Sequence, residues 1–194
     1  AEFLPGLRVG KQADGTFAEE TAAHTIGNVR SFSSNFLVVV RAFCYILTLG
    51  REGIPEASTT AVLNANYMMH KLSGHYKMAY DHTCMHEFVM TLEQEKHARN
   101  VSALDIAKAL LDHGIHPPTM YFPLIVHEAL MIEPTETESR ETLDEAVQIF
   151  LDILAEAEAH PEKMHEYPLE TPVRRLDEVG AARKPVVRYL YDEE

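Results

Sequence analysis

The chain has 194 residues, of which 46% are hydrophobic and 24% charged, a composition typical of a globular protein with a sizeable core. Its formal net charge of −13 argues against a nucleic-acid partner and against adsorption to an anionic membrane. Two cysteines are too few for a disulfide framework, and the N-terminal residues lack the apolar core of a signal peptide, so we expect a soluble, cytoplasmic protein.

The first 33 residues carry turn signals but little periodicity. The signals are Pro5-Gly6, Asp14-Gly15 and Gly27-Asn28, and they predict an irregular segment that another part of the protein must hold. A helix is then expected over 35–49, closed by a glycine, and its long apolar run predicts that it is buried. A second helix is expected at about 55–72.

Short strands and helices alternate after this point. Strands are predicted at YKMAY, HEFVMTL and ALMIE. Ser102 and Asp105 form a capping-box pattern that predicts the start of a helix, and Thr137 or Ser139 starts a further one. The order of elements predicts an α+β (α/β) fold, with a small antiparallel or mixed sheet and helices packed on one of its faces.

We assign this α+β domain to residues 34–170 and a C-terminal tail to 171–194. The tail is basic, in contrast to the acidic body, through Arg174, Arg175, Arg183, Lys184 and Arg188. Two interpretations fit it equally well. It could dock onto an acidic surface of its own fold or of a partner, or it could be a solvated tail.

His82, Cys84 and His86 stand at alternate positions, which on a strand would place them on one face. They would then lie about 6.5–7 Å apart per step, too far to hold one ion, so we predict no metal site. Cys84 beside a histidine could also act as a nucleophile. No oxyanion-hole glycine or orienting carboxylate accompanies it, which favours an inert, partly buried thiol. No catalytic residue is assigned.

Two stretches, HPPTMYFP and IEPTETES, place a threonine after a proline between strand-like and polar residues. Such loops can present hydroxyl groups and backbone donors to a ligand. The alternative is turn and helix-cap chemistry, with Pro134 and Thr135 in the turn and Thr137 or Ser139 as the cap. The local pattern alone favours turn and cap.

Six segments occur in an order that marks a family resemblance. They are FLPGLRV, TIGNVRSFSSNF, AVLNANYMMHKL, CMHEFVMTL, SALDIAKALLDHGIHPPTMYFPLIVHEALMIEPTETES and TPVRRLDEV. Over nearly its whole length the chain resembles the C-terminal part of glycine dehydrogenase (decarboxylating), the P-protein of the glycine cleavage system, in its subunit 2 form. LMIEPTETES, with HPPTMYFP upstream, is the most specific of these motifs.

The resemblance implies the small C-terminal domain of a fold-type-I enzyme that uses pyridoxal phosphate. In that family a lysine, in a His-Lys sequence followed by a glycine-rich run, forms a Schiff base with the cofactor, glycine is decarboxylated, and the aminomethyl group passes to lipoylated H-protein. None of the seven lysines here lies in such a sequence. We therefore expect residues 1–33 to lead out of a missing cofactor-binding domain, and the chain alone to bind no cofactor and to be inactive. P-protein subunit 1 and H-protein are the expected partners.

The resemblance also suggests site residues, because the small domain of this fold class closes over the cofactor. Ser33, Ser34 and Asn35 are candidate cofactor-side residues, although Ser33-Ser34 stands where a glycine is expected before the asparagine. The candidate rim residues of the substrate site are His86, His116, Thr119, Glu133 and Thr135.

A different interpretation remains open. The chain could be a naturally short, non-catalytic module that docks onto P-protein or H-protein. If instead it is a fragment, an apolar surface left by the missing domain should be exposed, and self-association could cover it, which would give a homo-oligomer.

Overall fold

The computed structural model describes residues 2–3, 5–29, 35–189 and 191, and the chain divides into two compact units, Ala1–Ile54 and Pro55–Glu194. The division falls after residue 54, whereas the sequence predicted a boundary after residue 33. The helix that begins at Phe36 therefore starts in the first unit and continues in the second.

The first unit contains a β-hairpin where the sequence predicted an irregular segment. Strand β1 (Leu7–Lys11) pairs antiparallel with β2 (Phe17–Thr21). Asp14 makes the turn by accepting hydrogen bonds from the backbone N and the Oγ1 of Thr16, at 2.9 and 2.6 Å, while Gly15 takes a φ of 87°. The prediction was wrong because neither strand buries a face here: LRVGK alternates only over its first three residues and FAEET does not alternate, which is too short a pattern to identify a strand.

Helix α1 (Phe36–Leu72) is interrupted at Gly50, whose φ of 67° and ψ of −167° are not helical. The predicted end of the first helix at Gly50 is thus confirmed. The predicted burial of that helix was wrong: its large apolar side chains between Phe36 and Leu47 are 37–78% exposed. Among the described residues of the first unit, no other element covers them, although their apolar character is that of an interior helix.

The second unit is built on a four-stranded antiparallel sheet in the order β3-β4-β6-β5. Its strands are β3 (Lys77–Met78), β4 (Phe88–Thr91), β5 (Thr119–Met120) and β6 (Ala129–Ile132). Its further helices are α2 (Glu93–Arg99), α3 (Ala103–Asp112), α4 (Arg140–Ala159) and α5 (Glu178–Arg183), with a 3₁₀ turn at Lys163–His165. The predicted α+β fold is confirmed. Across the described ranges, no helix has both the length and the apolarity needed to cross a membrane.

Strand register places the core on one face of this sheet. Phe88 lies opposite Ile132 and Met90 opposite Leu130, so these four side chains share a face. They pack with buried residues of three helices, among them Met68 and Leu72 of α1, Ile106 and Leu110 of α3, and Leu143, Phe150 and Ile153 of α4. Each large apolar side chain buried in this way stabilises the unit by about 1.5–3 kcal/mol.

Local capping chemistry sets the helix starts. The Oγ of Ser102 accepts from the backbone N of Asp105 at 3.3 Å, and Asp105 Oδ2 accepts from the backbone N of Ser102 at 2.8 Å, so the predicted capping box is confirmed. Ser139, rather than Thr137, caps α4.

Helix α2 was not predicted, since its seven residues are mostly charged and bury only Glu95, which leaves no apolar stripe.

The basic tail docks onto its own fold through Arg175. Its Nη2 lies 2.7 Å from Oδ1 of the buried Asp105 and also donates to the carbonyl of Met164, while its Nε donates to the carbonyl of Tyr167. Burial would raise the pKa of Asp105, but hydrogen bonds from Ser102 and the ion pair with Arg175 outweigh it and hold that pKa below its usual value. The remaining basic residues of the tail further along, Arg183, Lys184 and Arg188, are exposed.

Candidate functional site

A cavity of about 550 Å³ opens on the second unit. Its floor is apolar, with Met68 from α1, Ile132 from β6, and Leu143 and Phe150 from α4, and all four side chains are buried in the core. Two loops form its walls, 114–118 before β5 and 133–138 after β6. An apolar floor with a few polar side chains around it is the usual construction of a small-molecule site.

These two loops bring together four of the five residues predicted as a rim. His116 and Thr119 come from the proline-rich stretch, and Glu133 and Thr135 from the loop after β6; all four line the cavity and are exposed. Strand pairing explains the approach, because Thr119 lies opposite Met131, two residues before Glu133. Residues 14 or more positions apart in the chain thus meet at one edge of the sheet.

The fifth rim candidate, His86, lies in an adjoining cleft. Its Nε2 is 3.8 Å from Oε1 of Glu133 and 3.9 Å from Oε2 of Glu87. Met131 lines both the cavity and this cleft, so His86 belongs to the same surface as the other four. Each of these three side chains is at least a third exposed, so the two contacts add little to stability.

Of the three cofactor-side candidates, the structure describes only Asn35. Asn35 lies in the first unit, where its carbonyl accepts from the backbone N of Val39 at 3.1 Å, and it is exposed. Ser33 and Ser34 lie outside the described residues. Their assignment stays a prediction.

Asn64 holds the wall of the cavity and was not predicted. It is buried on α1, and its Nδ2 donates to the carbonyls of Thr135 and Glu138 at 2.9 and 3.3 Å. These bonds tie the loop after β6 to the helix below it. The available signal was a carboxamide within the apolar run AVLNANYMM, since a polar side chain on a buried face needs a hydrogen-bond partner.

The loop 133–138 combines turn chemistry with a place in the cavity wall. Pro134 is buried, the hydroxyls of Thr135 and Thr137 are 2.7 Å apart, and Ser139 begins α4 by accepting from the backbone N of Thr142 at 3.2 Å. The turn-and-cap interpretation is therefore confirmed for Ser139. The same loop lines the cavity, so the two interpretations do not compete.

The charge of the cavity does not suit pyridoxal phosphate on its own. Its described lining residues include Glu133 and Glu138 but no Lys or Arg, whereas the cofactor needs a lysine amine and donors for its phosphate. Lys71 follows a histidine in the sequence, but it is exposed and its Nζ lies 5.4 Å from the centroid of the Tyr67 ring. The described lining of this cavity therefore does not by itself form a complete site for that cofactor.

The segment with alternating His82, Cys84 and His86 is not a strand, because β4 begins only at Phe88. Both the backbone N and the carbonyl of Cys84 are hydrogen bonded to the side chain of Asn66, at 3.0 and 2.8 Å. Burial raises the pKa of the Cys84 thiol, which opposes its activation as a nucleophile. The described residues include no group of three or more His, Cys, Asp or Glu side chains placed to hold a metal ion.

Comparisons with known proteins agree with the motifs. The family described as "Glycine dehydrogenase, C-terminal domain" matches residues 57–172. A probable glycine dehydrogenase (decarboxylating) subunit 2 of Treponema denticola is 57% identical over 97% of this chain, and one of Thermosipho melanesiensis is 52% identical over all of it. The chain spans only 39% and 40% of the length of these two relatives.

A solved structure gives the same fold. It is a crystal structure of glycine decarboxylase (P-protein) of the glycine cleavage system in inhibitor-bound form, with a TM-score of 0.60 over 78% of this chain and 36% of that one. At 18% sequence identity this similarity concerns the fold alone. The family model and the relatives confirm the resemblance read from the sequence: the chain belongs to the glycine dehydrogenase (decarboxylating) family and corresponds to the C-terminal part of subunit 2.

Proposed function

We propose that this chain supplies one wall of the substrate site of a glycine dehydrogenase (decarboxylating). The complete enzyme would decarboxylate glycine with pyridoxal phosphate and pass the aminomethyl group to the lipoyl arm of H-protein, in the cytoplasm and together with subunit 1. One observation carries the proposal. His116, Thr119, Glu133 and Thr135, from the two most specific motifs of the chain, meet at a single cavity.

The chemistry of the lining indicates what this wall does. The threonine hydroxyls can donate to or accept from a polar ligand group, and the carboxylates of Glu133 and Glu138 favour a positively charged or neutral group over an anion. The apolar floor excludes water from an aliphatic chain. This combination suits an aliphatic arm that carries an amino group at its end, as the lipoyl arm does once it has received the aminomethyl group.

The chain alone is proposed to be inactive and to bind no cofactor. The electron sink for decarboxylation is pyridoxal phosphate, and the lysine that would hold it lies in a part of the enzyme that this chain does not span. Supporting this, none of the seven lysines lines the cavity. The chain would hold and orient the substrate side of the site and shield it from water.

Inactivity is tested by adding pyridoxal phosphate to the purified chain. We expect no stable internal-aldimine absorbance band, and no lysine labelled stoichiometrically after borohydride reduction. Stoichiometric trapping on one lysine would contradict the proposal, and peptide mapping would identify that lysine. Scattered substoichiometric labelling of several exposed lysines is the expected background.

The role of the cavity is tested in a complete enzyme. A hybrid subunit is made by replacing the matching residues of the Treponema denticola relative with this chain, and it is assayed with subunit 1 and lipoylated H-protein for glycine-dependent exchange of bicarbonate. Thr119→Val should lower kcat/KM about five- to thirtyfold, because a lost hydrogen bond to a desolvated ligand costs about 1–2 kcal/mol.

The matched control is Thr59→Val. The Thr59 hydroxyl bonds the Pro55 carbonyl of its own helix at 2.9 Å, and the residue does not line the cavity. Thr59→Val should leave kcat/KM within about twofold of the value for the unsubstituted hybrid. If Thr119→Val behaves as Thr59→Val does, the cavity is not part of the substrate site.

A second candidate is a non-catalytic module that docks onto P-protein or H-protein. The observation in its favour is that the second unit has a continuous core of its own, as an independently folding domain does. The reading frame upstream of Ala1 distinguishes the two: a frame that encodes a His-Lys-glycine sequence supports the enzyme, and a start codon near Ala1 supports the module.

A further inference from the structure

The helix of the first unit is apolar on every side. Between Phe36 and Leu49 the only charged residue is Arg41. At 3.6 residues per turn, Leu37, Tyr45, Ile46 and Leu47 point to four successive sides of the helix. They are 78%, 52%, 51% and 65% exposed. A helix with apolar side chains all round belongs in an interior, not on a surface.

The rest of the first unit provides no interior for it. Among the described residues of this unit, only Ala22 is buried, and the hairpin also exposes large apolar side chains, including Val9 and Phe17 at 70% each. Residues 1–54 hold five acidic and five basic residues, so the whole net charge of −13 lies on the second unit. A neutral, apolar segment with no core of its own is stable only when other protein covers it.

The distribution of the apolar side chains indicates what covers them. A two-fold contact with a second copy would bury one side of each helix and leave the opposite side in water. Enclosure on four sides requires a surrounding fold, and the chain spans only 39–40% of the length of its subunit 2 relatives. The remaining part of such a subunit is large enough to supply that fold.

We propose that residues 36–49 form an internal helix of the complete subunit, enclosed on all sides by the part of the subunit that this chain does not span. The inference rests on the proposed function, since it takes the chain to work within a complete subunit 2. Self-association of the isolated chain would then be a substitute contact that covers only part of the helix.

The first test is hydrogen exchange. In the hybrid subunit, and in the unmodified Treponema denticola relative, the amides of this helix should exchange at least about a hundredfold more slowly than in the isolated chain. The unmodified relative keeps the test decisive if the hybrid folds poorly. Equal exchange in the isolated chain and in the relative would overturn the inference.

The second test asks whether all four sides are enclosed. Leu37→Lys, Tyr45→Lys, Ile46→Asp and Leu47→Asp are each introduced into the hybrid subunit, where a buried unpaired charge is strongly unfavourable. Lys is used at the two positions four residues from Arg41, because an Asp there could pair with that arginine. Each should decrease the equilibrium constant for folding of the hybrid at least about tenfold, equivalent to 1.4 kcal/mol. None should alter unfolding of the second unit in the isolated chain, and Val187→Asp, at a residue 90% exposed in the tail, is the matched control.

Three results would overturn the inference. The first is sensitivity on one side only, together with a tight dimer of the isolated chain in sedimentation, which would mean that a second copy covers the helix. The second is an absence of sensitivity at all four positions, and the third is flotation of the isolated chain with phosphatidylcholine–phosphatidylglycerol vesicles. Hydrogen exchange and unfolding are measured without enzyme activity. A negative result in these two tests is therefore distinguishable from a failure of Thr119→Val to lower kcat/KM.

Discussion

The two units of this chain use apolar residues in opposite ways. In the second unit, side chains from the sheet and three helices meet in one continuous core. In the first unit the described residues bury only Ala22, although the helix 36–49 is at least as apolar as any segment of the second. The hydrophobicity of a segment therefore favours its burial, but it does not indicate which part of the protein covers it.

The largest expected effect tests this contrast directly. Phe150 is 1% exposed and packs edge-on against Tyr76 at 6.1 Å between ring centroids. Phe150→Ala should lower the free energy of unfolding of the second unit by about 3–5 kcal/mol, because it leaves a cavity in the core. Phe43→Ala, at a residue 59% exposed in the first unit, should change it by less than about 0.5 kcal/mol. Urea denaturation of both variants measures the difference, and equal effects would contradict the contrast.

A smaller effect is expected where the tail docks onto the second unit. Arg175→Met removes the ion pair and hydrogen bonds to the buried Asp105 and to two carbonyls, which should cost about 1–3 kcal/mol. The neighbouring Arg174 is an internal control, since it is exposed and makes a 3.4 Å bond to the carbonyl of Pro168. Arg174→Met should cost less than about 0.5 kcal/mol. Similar losses for both variants would show that the tail is held in another way.

The same pair of residues predicts a pH dependence. The pKa of Asp105 is lowered in the folded protein from its usual 3.8. Its ionised form therefore adds stability that is fully present above pH 3.8 and is lost as pH falls through the folded-state pKa. Arg175→Met removes the positive charge beside Asp105 and so raises the pKa of that carboxyl. The free energy of unfolding of the variant should therefore increase less between acid and neutral pH than that of the parent. Urea denaturation from pH 3 to 7 checks this, and parallel curves for variant and parent would contradict it.

A comparable loss is expected from the hydrogen bonds that hold the cavity wall. Asn64→Ala leaves the carbonyls of Thr135 and Glu138 without the donor that Asn64 provides, at a cost of about 1–2 kcal/mol. Gln148→Ala removes a carboxamide that bonds Asp152 on the exposed side of α4 and should be nearly neutral. The decisive measurement is hydrogen exchange in the loop 133–138. Its amides should exchange faster in Asn64→Ala than in the parent protein, and at the parent's rate in Gln148→Ala.

Whether a feature could be predicted from the sequence depends on how far apart in the chain its interacting residues lie. The Ser102–Asp105 capping box and the break at Gly50 depend on residues a few positions apart, and both were predicted correctly. The cap of α4 also depends on nearby residues, and the sequence reduced it to two candidates, Thr137 and Ser139, of which Ser139 is the cap. Asn64 and Arg175 act on partners about seventy residues away, and no local pattern reports such a pair. The hairpin was missed because its strands bury no face, and α2 because it has no apolar stripe.

The candidate site divides in the same way. The local pattern of HPPTMYFP and IEPTETES favoured turn and cap chemistry over ligand contact, and only the family resemblance selected His116, Thr119, Glu133 and Thr135. The pairing of β5 with β6 brings these two loops together, which is a long-range feature. The assumption that His82, Cys84 and His86 lie on a strand failed because the chain is irregular between Met78 and Phe88, so the geometric argument about metal ligands did not apply to the observed backbone.

The smallest effect on overall stability is expected in the hairpin of the first unit. Gly15 takes a φ of 87° with open space around it, so Gly15→Ala strains the backbone without a clash and should destabilise the turn by about 1 kcal/mol. Because the described part of this unit has almost no core, that cost should stay local. Amide exchange over β1 and β2 should accelerate severalfold, while the urea midpoint of the second unit is unchanged. A midpoint shift as large as the one caused by Asn64→Ala would mean that the two units unfold together. The units would then differ in composition but not in stability.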